Sequence, residues 1–337
     1  MRAAILFLLP TLALAHPEDG TAPGKAPETA VRTGNGIWTY EAVPNWGQLP
    51  DGKKVGPTHG GVVVDNKSGL IYASTDAEHA ILVYQPDGKL VKSIAPECRG
   101  FHAMDIAEED GKTVLYGAQL GGPKPLRVVK LDTEGKQLLE ISQATMGEIQ
   151  GGWKGLTSVA VAPDGSIFCS MGYGAQFIHK FDATGKLIKS FGGAGSGEKV
   201  ATKASHGLKV DMRYGKPRLL VCDRENRRLF HTDLDGNWIG VYATHLRRPC
   251  SVSILGDVCA VAELEARVTI LDKNGTPLSF LGDNPDKKKW ANFKVAPKDM
   301  KPNLFTAPHG LSFDKDGNLY VEDWNQSGRV TKLVKVH

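Results

Sequence analysis

The chain has 337 residues, 41% hydrophobic and 23% charged, with a formal net charge of +4 and five cysteines. A balance this mild, with no long basic stripe, excludes nucleic acid as the expected partner. The cysteines, Cys98, Cys169, Cys222, Cys250 and Cys259, include no CxxC pair, so no cysteine metal site is expected, and spacing alone leaves their pairing open.

Residues 1–15 carry one basic residue, Arg2, then an apolar run, then Ala13-Leu14-Ala15. This is the pattern of a secretory signal peptide, too short to span a bilayer, and it predicts an exported chain, periplasmic or secreted, that begins at His16. No cysteine follows the cleavage site, so no membrane anchor is expected. Residues 16–35 are polar and rich in Pro and Gly, which reads as a flexible leader.

From residue 36 the pattern changes. Gly36 to Val43 (GIWTYEAV) alternates apolar and polar residues, and a longer unit then repeats at intervals of roughly forty to sixty residues. HGLKVDMRYGKPRLLVCDREN from His206, HGLSFDKDGNLYVEDWNQ from His309 and TSVAVAPDGSIFCSMGYGA from Thr157 each read as strand, turn, strand. Leu208 alternates with Val210 and Leu311 with Phe313, the period of half-buried strands. Asp164-Gly165 and Asp316-Gly317 supply tight turns. Further strands follow, as in RLFHTDLDGNWIGVY from Arg228, which makes four short strands per unit. Six units begin near His59, His102, Thr157, His206, Ser251 and His309. The predicted fold is all-β, a six-bladed β-propeller over residues 36–337. Its last unit has room for only three strands, so the alternating segment 36–43 is expected to close the ring and remove its exposed edges.

In such a ring the first strand of each blade lines the axis. His102, His206 and His309 stand just before that strand in blades two, four and six, about a third of a turn apart, so three imidazoles can converge. Three nitrogens with an open position suit a catalytic zinc, one per chain, with Zn–N bonds of about 2.0–2.1 Å. Taken singly, a histidine before a strand is more often a hydrogen-bonded turn residue; the alternation of three carries the inference. His59, in THGGVVVD, is a fourth ligand, a partner of the ligands, or neither. Arg224 in CDREN and Tyr173 in SMGYGAQ follow second strands and return to the same mouth. Arginine offers a fixed fork for a carboxylate. A tyrosine beside a metal and an arginine can have its phenolate favoured and serve as a base. The bland reading of both is rim packing, with Arg224 bonded to Glu225 or Asp223.

These residues resemble the NHL-type propeller of peptidyl-alpha-hydroxyglycine alpha-amidating lyase. In that family, P-H-x-L-type openings in alternate blades supply three zinc histidines, an S-D-G-Y segment a tyrosine, and an A-D-R-E-N-G-R segment an arginine. Here the counterparts are FHAM at Phe101, SHGL at Ser205, PHGL at Pro308, SMGY at Ser170 and CDRENRR at Cys222. The resemblance implies zinc on His102, His206 and His309, Tyr173 as catalytic base, and Arg224 as binder of a substrate carboxylate. The implied substrate is small or peptide-like, cleaved at a C–N bond to give glyoxylate and an amide, with the chain acting as a monomer.

The family's second arginine, on blade one, has no counterpart in LIYASTDAEHAI. Ala307 and Gly310 stand where it has a methionine and an aspartate, a departure that bears on its structural calcium and leaves calcium binding open here. Two other readings stay open: a non-catalytic propeller that acts as a protein or ligand binding scaffold, and a calcium-dependent lactonase-like hydrolase. The second would need axial Glu, Asp and Asn where these strand openings carry histidine.

Overall fold

The computed structural model describes residues 31–336. The expected signal peptide and most of the expected leader lie outside them.

Turn chemistry sets the repeat. Asp132, Asp182, Asp233, Asp272 and Asp314 each accept hydrogen bonds from the backbone N–H groups two and four residues on, at 2.8–3.0 Å. The residue three positions on is glycine every time, with φ between +82° and +89°, a conformation that side-chain-bearing residues adopt at a cost. The Asp-Gly pairs read from sequence behave alike, Gly165 at +82° and Gly317 at +85°.

Between these turns the strands form six antiparallel sheets arranged as a ring, the predicted propeller. The innermost strands are Val62–Val64, Phe101–Glu109, Ser158–Val161, Ser205–Asp211, Pro249–Leu255 and Pro308–Phe313. Each touches the innermost strands of both neighbours, the last touching the first. Six apolar cores fill the spaces between adjacent blades. Between blades one and two, for example, Val63, Tyr72 and Ile81 pack against Phe101, Leu115 and Val129.

Ring closure follows the sequence expectation and goes one strand further. Trp38–Val43 pairs with Arg329–Lys335 of blade six, with Tyr40 opposite Lys335. Val31–Asn35, assigned from sequence to the leader, pairs in turn with Trp38–Val43, so the leader is cut short and blade six has five strands. The segment VRTGN lacks an apolar alternation; it is held by polar bonds to blade five, Asn35 N–H to Ser279 Oγ at 3.0 Å and Gly282 N–H to Thr33 Oγ1 at 2.6 Å.

All five cysteines are buried and unpaired. Cys250 and Cys259 flank the inner hairpin of blade five but do not meet across it: Cys259 pairs with Ile254, near the far end of the ladder from Cys250. Cys169 and Cys222, in the second strands of successive blades, sit one register step apart and enter different interblade cores.

Candidate metal centre

A local irregularity aims the histidines. In blade two Phe101 pairs with Gln119 and Ala103 with Ala118, so His102 is an extra residue in the inner strand. The same shift occurs between Ser205 and Leu208, around His206, and between Pro308 and Gly310, at His309. Such bulges bend the strand and redirect a side chain; here they direct the rings to the axis. By register the six axial residues are Gly60, His102, Thr157, His206, Cys250 and His309.

The three predicted histidines meet. Their ligating nitrogens lie within 4.8 Å of one another, and their ring centroids are 4.6–4.8 Å apart. All three are buried. Their neighbours settle two of the tautomers. His102 Nδ1 is 2.7 Å from Thr157 O and His206 Nδ1 is 2.9 Å from Cys250 O. A carbonyl only accepts, so each Nδ1 carries the proton and each Nε2 presents a bare lone pair. His309 Nδ1 has no partner.

Burial first, then the charge of neighbouring groups, pushes His102 down to about 3, with His59 the largest of those neighbours. Burial likewise holds His206 and His309 well below the ordinary imidazole value, helped by Arg224 and His102 for the former and by His206 and His102 for the latter. All three are therefore neutral imidazoles, the form that ligates a metal.

Tyr173 and Arg224 also reach this mouth, as the sequence predicted. Tyr173 Oη lies 3.1 Å from His102 Nε2 and 2.9 Å from His206 Nε2, and it accepts a hydrogen bond from Arg224 Nη1 at 2.9 Å. The hydroxyl has one proton to give and two lone pairs facing it, so the imidazole nitrogens are under-supplied with donors. That surplus of nitrogen lone pairs fits a divalent cation, and His102, His206 and His309 are the residues that would hold it. The phenol itself departs from expectation. Burial raises Tyr173 above its usual value, and Arg224, the chief opposing influence, does not offset this. The arginine alone does not favour the phenolate.

Arg224 also pairs with Glu225, Nε to Oε1 at 2.9 Å, whereas Asp223 takes Arg228 instead. A second guanidinium, missed in the sequence, shares Glu225: Arg248 Nη2 is 2.6 Å from Oε1. Its only sequence signal was the basic pair preceding the blade-five opening.

His59 stands one residue before the axial position of blade one. Its Nδ1 bonds Asp76 at 2.9 Å, and its ring centre lies 5.6 Å from that of His102 and 6.2 Å from that of His309. It belongs to the rim, outside the trio. Gly60 holds the axial place, and a Cβ there would fall 2.7 Å from His309 Nδ1. Gly60→Ala is accordingly expected to displace His309 and weaken metal binding about tenfold or more, on the scale of a lost ligand-orienting contact, with the circular dichroism spectrum unchanged; unaltered metal affinity would contradict this.

No protein-family model matches the sequence. Among solved structures, a gluconolactonase from Xanthomonas campestris is similar at 12% identity and TM-score 0.60, over 88% of this chain and 89% of that one. A catalytically inactive histidine-to-alanine variant of virginiamycin B lyase from Staphylococcus aureus, solved with quinupristin, is similar at 14% identity and TM-score 0.55, over 88% of this chain and 99% of that one. At such identities the likeness is one of fold. The axial residues of this chain are three histidines alternating with glycine, threonine and cysteine, with no carboxylate among them.

Proposed function

We propose that the chain is an exported, zinc-dependent, lyase-like propeller enzyme in which His102, His206 and His309 hold the ion, Tyr173 is the base and Arg224 binds a substrate carboxylate. The observation that carries this reading is the Tyr173 hydroxyl, 2.9 and 3.1 Å from two of the converging imidazole nitrogens and 2.9 Å from Arg224. Export rests on Arg2, the apolar run and Ala13-Leu14-Ala15. The amidating-lyase resemblance supplies the reaction class, and a lyase among the proteins of similar fold is compatible with it.

A zinc ion on the trio would supply Lewis acidity and the positive charge that favours the Tyr173 phenolate. The protein's own groups divide the remaining work. Arg224 uses two donors on Glu225 and Tyr173 and keeps others for a substrate carboxylate. Tyr173 Oη takes the proton from the hydroxyl of an α-hydroxyglycine unit; its C–N bond then breaks, the carbinol carbon becomes the aldehyde of glyoxylate, and the amide nitrogen regains a proton. Substrate and products are thus balanced without any co-reactant.

Arg224→Ala is expected to raise KM about 10–100-fold, the loss of a charge-assisted hydrogen bond of about 1.5–3 kcal/mol, and to leave metal content unchanged. Glyoxylate release from an α-hydroxyglycine peptide, with elemental analysis in parallel, is the measurement. Loss of metal from the variant would make Arg224 structural.

A further inference from the structure

The wall between blades six and one carries oxygen atoms with nothing to bind. Along Leu319–Asp323 side chains alternate, so Glu322 shares a side with Tyr320, which packs against Ile71, Ala73 and Tyr84 of blade one. Glu322 therefore faces blade one. By the same alternation Thr75, which follows Ile71–Ser74, shares the side of Ile71 and Ala73 and faces back toward blade six. Glu322 is fully buried, and neither of its carboxylate oxygens has a hydrogen-bond partner; the buried Thr75 hydroxyl has none either.

The register shows how unusual this glutamate is. In the other five blades the same place is held by Ser74, Ala118, Ser170, Cys222 and Ala262, all small. A buried carboxylate without donors is costly, and natural proteins seldom keep one without a compensating partner. Two further oxygen-bearing groups come from the facing part of blade one. Gly310 pairs with Glu322 in register, and a Cβ on Gly310 would lie 1.7 Å from Gly60 O, so that carbonyl is turned to the same wall. Asp76 follows Thr75, and its carboxylate is bonded to His59 Nδ1 at 2.9 Å, next to Gly60; burial first, then the charge of Asp76 and of Asp323, holds the Glu322 carboxyl well above its ordinary value. Asp323 points elsewhere, accepting from the Thr306 and Ala307 N–H groups.

We infer that Glu322, Thr75, Asp76 and the Gly60 carbonyl hold a hard divalent cation, calcium or magnesium, between blades six and one, at a site separate from the three histidines. All-oxygen ligation by carboxylate, hydroxyl and carbonyl suits such ions, whereas the neutral imidazoles of the axis suit zinc. Two carboxylates match the ion's charge, and the ion gives the orphaned oxygens their partner. It also ties the first blade to the last beside the point of ring closure.

The test uses the mature chain freed of metal by a chelator, then titrated with calcium alone and with magnesium alone, followed by equilibrium dialysis and thermal unfolding. The expected result is one of these ions per chain, with a rise in Tm. His206→Ala keeps that ion, while Glu322→Gln weakens its binding at least tenfold and, ion-free, unfolds no lower than the ion-free parent. Absence of binding at millimolar calcium and magnesium, or unchanged binding by Glu322→Gln, would overturn the inference. Should Glu322→Gln fail to fold, Thr75→Val read by the same dialysis decides in its place: weaker binding supports the site and unchanged binding refutes it. None of these outcomes depends on the catalytic reading of the axial histidines.

Discussion

Tyr173→Phe is expected to slow glyoxylate release about 10²–10⁴-fold, the usual worth of a positioned general base, while metal content stays at the parent level. The substitution removes one oxygen and leaves the ring, part of which is exposed at the mouth. Among the described residues, that oxygen is the only group bonded both to two axial imidazoles and to Arg224. Because a metal ligand and a base predict different losses, the two readouts separate them. If the phenol were a ligand the variant would lose metal; if it were merely rim packing, turnover would stay within a few fold. Either result would remove Tyr173 from the chemistry.

Asp211→Asn should cost about 3–5 kcal/mol of stability, the scale for removing one partner of a buried ion pair. Asp211 is fully buried at the end of the inner strand of blade four. It accepts from Arg213 Nε at 2.9 Å and Nη2 at 2.7 Å, and from His231 Nε2 at 2.9 Å. The asparagine would leave a buried guanidinium without its counter-ion. Burial by itself raises the Asp211 carboxyl, but the bonds from His231 and Arg213 more than reverse this and hold it well below the ordinary carboxylate range. The sign follows: a depressed carboxyl contributes stability that is present above the unfolded-state value of about 4 and is lost as pH falls below it. Urea unfolding of parent and variant should therefore show a gap that is full at pH 7 and narrows below about pH 4. A gap that is small at pH 7, or that grows in acid, would contradict the account.

The ring and its axial histidines were legible because both are periodic. The Asp-Gly turns and alternating runs recur once per blade, and His102, His206 and His309 occupy one register position in alternate blades, where only symmetry is needed to bring them together. What escaped is aperiodic. Val31–Asn35 joins blade six through polar contacts to Ser279 and Gly282, without an apolar alternation to announce a strand. Arg248 reaches the mouth by way of Glu225, a tertiary contact between loops of different blades. Glu322 looked like any charged residue near a strand end; only the register reveals that its equivalents are small and its carboxylate is shut in. His59 shows the converse. Its residue type matched the motif, yet a shift of one position put Gly60 on the axis and left the ring beside Asp76.

Metal on the three axial imidazoles is checked by elemental analysis of the mature chain, purified without added metal or a histidine tag. About one zinc per chain is expected at the trio, absent from folded His206→Ala. A folded parent chain that carries no zinc and takes up none when it is supplied would mean that the trio is not a metal site.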